Sequence, residues 1–325
     1  MDEESGLAMV EIMTETGGNM IGHAPGRSHL GFQRDWNWRG WRVRYTFLRP
    51  AQGLEAGSYP VLFLHGFGAS LSQWQANLKP LSQHHTVYAM DLLGFGASEK
   101  APAAYETNLW VEQVYEFWRS LIRTPMIVVG HSLGAVVALA AAAKYPDMVQ
   151  GLTLLTLPPA RQEMLSGRMM KLALGVEGLF ATPLILGPVF ALFRSPKLIG
   201  SVLRSAAYHD RSFVTDELVD SFIAPILDKG SSRVFYRLAK ARTSTTYTPA
   251  VRSLLPQIQC SILLLWGEQD KIVPLAQGKD FPRLNPKVTL VTLPNAGHCL
   301  YDECADRVNQ KVLSWIATLD FNTEI

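Results

Sequence analysis

Six short apolar runs punctuate the chain: VLFLHG from Val61, TVYAMD from Thr86, MIVVGH from Met126, GLTLLTL from Gly151, SILLLWG from Ser261 and VTLVTLP from Val288. They are near-continuously apolar rather than alternating, so each reads as a strand buried on both faces. Several end in a polar residue or glycine, and helix-length segments separate most of them. That rhythm predicts a mostly parallel central sheet with helices on both faces. Ahead of it, Trp36, Trp38 and Trp41 lead into Val43, Tyr45 and Phe47, an alternating run that predicts an antiparallel hairpin feeding the sheet. Residues 1–35 show isolated apolar positions without a period and read as a weakly ordered leader.

The rhythm of strands stops between Leu157 and Leu254, where helical and loop segments carry scattered Pro and Gly. The expected organisation is therefore a core of residues 36–156 and 255–325 with an inserted helical cap, or lid, of residues 157–254. The first part of that cap is the most apolar stretch of the chain. From Gly178 to Phe193 it holds sixteen residues without a charge. A bilayer span wants about 20 residues, and Pro183 and Pro188 are expected to interrupt this one. Two readings stay open: cap helices packing on the core and each other, or an apolar surface for a lipid-like substrate or a membrane.

Composition sharpens the second reading. Of 325 residues 48% are hydrophobic and only 18% charged, against about 25% charged in an ordinary globular chain. Disorder is excluded, and apolar surface is left over to be placed. A net charge of +2 is too small to capture nucleic acid, so no nucleic-acid partner is expected. Cys260, Cys299 and Cys304 have neither CxxC spacing nor an even count, which points to no disulfide framework, no zinc site and a reducing compartment. The acidic first residues lack the basic and apolar regions of a secretory signal. A cytoplasmic location follows as the expectation, with peripheral attachment to a membrane through the cap left open.

The chemistry starts at IVVGHSLGAVVALAAAAKYP, where Gly130, His131, Ser132, Leu133 and Gly134 form G-x-S-x-G between a strand and an Ala-rich helical run. Such an elbow stands the serine on a strained turn above the sheet edge, and its flanks must be small for strand and helix to approach. Serine alone is a poor nucleophile and needs a base and an orienting carboxylate. In the order serine, acid, histidine, position selects His298 in LPNAGHC as base. Asp270, in the GEQD turn after SILLLWG, is favoured as acid over Glu268, which is expected to be solvated. The loop after GLTLLTL offers only Thr156 and Leu157 before two prolines. Oxyanion donors are expected from the amides of Leu133, directly after the serine, and of Phe67 in His65-Gly66-Phe67-Gly68. His65 and Asp91 read as loop braces. His131 reads as packing with its side chain turned away from the serine, and Cys299 as a packed thiol. No dinucleotide, P-loop or HExxH motif appears, so neither cofactor nor metal is expected.

Together, HGFGAS, DLLGFGAS, GHSLGA, LLLWGEQD and LPNAGHC resemble the α/β-hydrolase superfamily over residues from about Trp36 to Ile316. Within it, DWNWRGWRVRY, SQWQANL, LWVEQVYEF and AYHDRSFVTDELVDSFIAPILDKGSSRVFYRL are similar to the plant and cyanobacterial group of chlorophyll dephytylase and pheophytinase. The resemblance implies Ser132 as nucleophile, Asp270 as acid and His298 as base, acting on a phytyl ester of a chlorophyll pigment. His131 stands where that group commonly has Asn, and Ala135 where it has Gly. Serine at the elbow argues against dehalogenase and epoxide-hydrolase chemistry, which use aspartate there. The expected function is cleavage of a carboxylic ester of a hydrophobic, long-chain or isoprenoid, alcohol or acid through an acyl-serine. Haloperoxidase-like or carbon–carbon bond hydrolysis, and a non-catalytic hydrophobic-ligand binding or assembly protein, remain open alternatives.

Overall fold

The computed structural model describes residues 30–54, 58–164, 169, 177, 182–244 and 247–319. The six apolar runs become strands β3 (Val61–Leu64), β4 (Val87–Met90), β5 (Met126–His131), β6 (Val149–Leu155), β7 (Ser261–Gly267) and β8 (Val288–Leu293). The alternating tryptophan run becomes β1 (Gln33–Trp38) and β2 (Trp41–Leu48), an antiparallel hairpin. Its two turn residues, Arg39 and Gly40, both have positive φ, as the tightest hairpin turns require. The first strand starts at Gln33 and Leu30 is already buried beneath it, so the ordered sheet begins slightly before residue 36; the earlier residues assigned to a leader lie outside the described residues.

The sheet order is β1-β2-β4-β3-β5-β6-β7-β8. β2 pairs antiparallel to β4, and from β4 to β8 every pairing is parallel. Side chains alternate between the two faces, which is why β3, β4 and β5 need apolar residues at every position: each face has its own buried cluster. Helices α1 (Thr107–Phe117) and α2 (Leu133–Lys144) lie on one face, and α7 (Ala305–Ile316) lies on the other. In α2 the Ala-rich sequence serves twice, since alanine is the strongest helix former and its small side chain lets the helix pack closely on β3 and β5. Because the strands run parallel, their following loops gather along one edge, where α/β sheets bind ligands. His65, Asp91, Ser132, Thr156, Asp270 and His298 all sit just beyond strand ends on that edge.

Between β6 and β7 the described residues form four longer helices, α3 (Pro183–Phe193), α4 (Pro196–Val202), α5 (Asp216–Leu227) and α6 (Ser231–Ala241). Half of one sequence expectation fails here. Pro183 marks a boundary in the apolar stretch, since α3 starts at it after an extended Thr182, but Pro188 does not break the helix and sits inside it. The proline ring removes the hydrogen bond to the carbonyl four residues back, that of Leu184. That residue lies in the first turn of α3 and is 88% exposed. Leu192 is 62% exposed on the same helix, while Phe190 and Phe193 pack on Phe235 of α6. The insertion is tied to the core at Lys100, whose Nζ donates to the carbonyls of Gly96 and Ser98 and pairs with Asp228 at 3.2 Å.

Trp110 of α1 fixes the loop after β4. Its side chain is fully buried, its Nε1–H donates to the Leu93 carbonyl at 3.1 Å, and its ring packs on Phe95 and Tyr105. Trp110→Ala is expected to cost about 3–5 kcal/mol, seen as a lower urea midpoint with an unchanged slope; a shift below 1 kcal/mol would show that this contact does not hold the loop.

Candidate active site

Ser132 lies between β5 and α2 with φ 52° and ψ −112°, a strained backbone for a residue with a Cβ. Packing on both sides holds it there. A Cβ at Gly130 would overlap the Gly134 carbonyl, and one at Gly134 would overlap the Leu64 carbonyl of β3, so strand and helix touch through glycine alone. The Ser132 N–H donates to Leu155 O at 3.0 Å, which ties the elbow to β6. Leu133 opens α2, and its N–H is among those that no helical carbonyl can accept. Phe67 follows β3 in a loop whose Gly66 N–H donates to Gln73 Oε1 at 3.1 Å, and no hydrogen bond takes up the Phe67 N–H among the described residues.

His298 and Asp270 are joined. The His298 Nδ1–H donates to Asp270 Oδ2 at 2.8 Å, and both side chains are buried. Asp270 accepts three further hydrogen bonds: Oδ1 from the N–H groups of Ile272 and Val273, Oδ2 from the Thr156 hydroxyl at 3.2 Å. With its proton on Nδ1, His298 keeps a free lone pair on Nε2. Glu268 faces solvent and accepts from the Thr292 hydroxyl instead. Ser132 and His298 line one cavity, although no hydrogen bond joins them among the described residues; such bonds are often long without substrate and tighten when it binds.

Thr156 was not singled out by sequence. It is the positive-φ residue after β6, with φ 49° and its N–H donating to Leu265 O. A threonine after a strand carries no signal for this role, because what aims its hydroxyl is the register of β6 against β7.

The neighbouring histidines divide the loop-bracing work. His65 Nδ1–H donates to Gly66 O at 2.7 Å, and its Nε2 accepts from the Leu92 N–H at 3.0 Å. One neutral tautomer satisfies both bonds. Burial pushes His65 down to about 4, against the opposing pull of the Gly66 carbonyl. His131 differs from expectation. It does not turn away from the site: its ring lies 4.7 Å from the His298 ring, it lines the same cavity, and its Nε2–H donates to the His298 carbonyl at 3.0 Å. Burial, then the adjacent His298, hold it well below the usual imidazole range, hence neutral. Asp91 accepts from Leu71 and Ala97 N–H groups, and burial raises it to about 6. The Cys299 thiol is buried and pushed up to about 12 by that burial, so it stays protonated.

The cavity over Ser132 has a volume of about 390 Å³, inside the range of small-molecule sites. Phe67 and Phe95 wall its core side, and Phe190, Phe193, Val202 and Leu238 its insertion side. Of the 157–254 segment, residues 165–168, 170–176 and 178–181 lie outside the described residues. Gln73 also lines the cavity; its Nε2 is buried and without a partner among the described residues, a condition that ordinarily costs about 1–3 kcal/mol.

Comparison with known proteins identifies the fold family. A family described as alpha/beta hydrolase fold matches residues 59–304. The 2-(acetamidomethylene)succinate hydrolase of Mesorhizobium japonicum is 29% identical over 261 residues, covering 80% of this chain and 88% of that protein. The chloroplastic pheophytinase of Arabidopsis thaliana is 26% identical, covering 80% of this chain and 61% of that protein. Among solved structures, the meta-cleavage product hydrolase of Pseudomonas fluorescens shares the fold at TM-score 0.72 and 21% identity, over 90% of this chain and 99% of that one.

Two outcomes test this geometry. Gly134→Ala forces a methyl into the Leu64 carbonyl and should cost on the order of 3 kcal/mol in denaturant unfolding; no loss would mean that strand and helix are not in contact there. For His65, the folded state binds fewer protons than the unfolded state between pH 6.5 and about 4. Stability therefore falls as pH drops through that window, by roughly 3 kcal/mol. His65→Asn should flatten that part of the profile, and an unchanged slope would show that the ring is not buried neutral.

Proposed function

The chain belongs to the α/β-hydrolase fold family, and from that premise we propose that it is a serine hydrolase cleaving a carboxylic ester with a long apolar chain. The observation that carries this reading is the buried Asp270–His298 hydrogen bond together with a strained Ser132, with Ser132 and His298 lining one largely apolar cavity. In the proposed reaction the Ser132 Oγ attacks the ester carbonyl while His298 Nε2 takes its proton, and Asp270 stabilises the imidazolium. The amides of Phe67 and Leu133 donate to the oxyanion, a contribution of typically 10²- to 10³-fold per donor. His298 then returns the proton to the departing alkoxide, which leaves acyl-Ser132. Water, deprotonated by His298, cleaves the acyl bond and restores the serine. Thr156 acts only through Asp270, as a positioning residue.

The apolar lining favours a lipid-like ester over a substrate with several charges, as the succinate named for the Mesorhizobium relative would be. Among the described residues the one cation lining the cavity, Lys100, is already engaged by two carbonyls and Asp228. The likeness to pheophytinase makes the phytyl ester of a chlorophyll derivative a specific candidate. Peripheral membrane association through the insertion belongs to the same proposal. It is supported by the outward face of α3, where Leu184, Ile185 and Leu192 are exposed, while among the described residues no single helix is long and apolar enough to cross a bilayer.

A fluorophosphonate probe should label the wild-type protein at Ser132, and Ser132→Ala should lose labelling and at least about four orders of magnitude in p-nitrophenyl laurate hydrolysis. Phytol release from chlorophyll a and pheophytin a measured alongside decides the pigment candidate. A folded protein that stays unlabelled in detergent would instead be a binder of hydrophobic ligands, and undiminished hydrolysis by Ser132→Ala would remove the mechanism.

A further inference from the structure

A second cavity of about 420 Å³ lies against the first, and Ala69, Gln73, Phe222 and Tyr301 line both. Its chemistry is different. Where the cavity over Ser132 is walled by phenylalanines and aliphatic side chains, this one is lined by Ser70, Ser72, Gln73, Gln75, Ser212 and Ser221, among others. The core supplies the first four, from the loop and helical turn after β3; the insertion supplies the two later serines. Two carboxyl groups, Glu217 and Asp302, also face it, and no described Lys, Arg or His does. An anionic group would enter against two acids with no cation to receive it. Hydroxyl and amide side chains, by contrast, both donate and accept, the match for a neutral group carrying several hydroxyls. Tyr208, Phe213 and Tyr301 add flat apolar surfaces on which the carbon skeleton of such a group can rest.

Gln73 connects the compartments. Its Oε1 is engaged by the Gly66 N–H, in the loop that presents Phe67, and its Nε2 is the buried donor without a partner. A donor left unpaired in the wall between an apolar and a hydroxyl-lined cavity is accounted for if an oxygen of a ligand completes it.

We propose that the second cavity is the head-group subsite for the substrate whose apolar chain occupies the first, and that it takes an uncharged, hydroxyl-rich group such as glycerol or a sugar, with Gln73 Nε2 donating to one of its oxygens. The substrate is then an amphiphilic ester with a neutral polar half. This deepens the serine-hydrolase reading and rests on it for the ester linkage. It also separates the substrate from a phytyl pigment ester, in which a rigid macrocycle takes the place of the hydroxylated half.

Binding to Ser132→Ala protein tests the proposal without turnover. The probes share one acyl chain: 1-lauroylglycerol, methyl laurate, 1-lauroylglycerol 3-phosphate and lauroylcholine, each titrated below its critical micelle concentration. The glycerol ester should bind at least tenfold tighter than the other three. Adding Ser221→Leu, which fills the second cavity from α5, should erase that preference while methyl laurate still binds. Gln73→Glu, which keeps the acceptor for Gly66 and removes the donor, should weaken the glycerol ester more than methyl laurate. Equal affinity for glycerol and methyl esters, tighter binding of the phosphate or choline ester, or a preference untouched by Ser221→Leu would each overturn it. The serine-hydrolase reading fails separately, through an unlabelled wild-type serine, and neither result can be mistaken for the other.

Discussion

Everything at this site depends on how closely β3, β5 and α2 approach one another. Gly130 and Gly134 have no room for a side chain because the carbonyls of Gly134 and Leu64 occupy it, and that contact leaves the chain no way to turn from β5 into α2 except through a left-handed backbone at Ser132. The strain of order 1–3 kcal/mol is carried by a core packed on both faces of the sheet. It raises the serine above the sheet edge and, in the same turn, opens α2 so that the Leu133 amide is free to donate. Relaxing the packing would release the strain and disperse both groups.

The second organising feature is the burial of histidines around that turn. His65, His131 and His298 each meet a different fate: one bridges Gly66 and Leu92, one donates to the carbonyl of its neighbour, and one is joined to a carboxylate. With the first two desolvated and uncharged, neither sets an imidazolium beside His298, whose ring is joined to Asp270. The insertion takes part in the same arrangement, since the Ala207 carbonyl accepts from both His298 and Cys299 N–H groups. The helices over the cavity thus also hold the loop that presents the histidine.

Among the described residues of the insertion, apolar side chains have two destinations. Phe190, Phe193, Val202 and Leu238 line the cavity over Ser132, and others are turned to solvent on α3. The same helix therefore presents apolar surface both inward and outward. Serine and glutamine side chains line the adjoining cavity in greater number than the first.

Sequence alone was enough for the six buried strands, the hairpin and the elbow, because continuous apolar runs, tryptophan alternation and G-x-S-x-G are local signals whose physical causes act within a few residues. It also singled out Asp270 and His298, since the order of strands leaves few places for an acid and a base, and the structure brings these two into contact. Tertiary structure alone decided the rest. Thr156 reaches Asp270 only through the pairing of β6 with β7, His131 meets His298 across 167 positions of chain, and Pro188 is tolerated because the carbonyl it orphans lies at an exposed helix start. The two cavities exist only where the insertion folds back over the sheet edge. Contacts between distant segments depend on register and on how helices lie over the sheet, and no pattern of neighbouring residues encodes those.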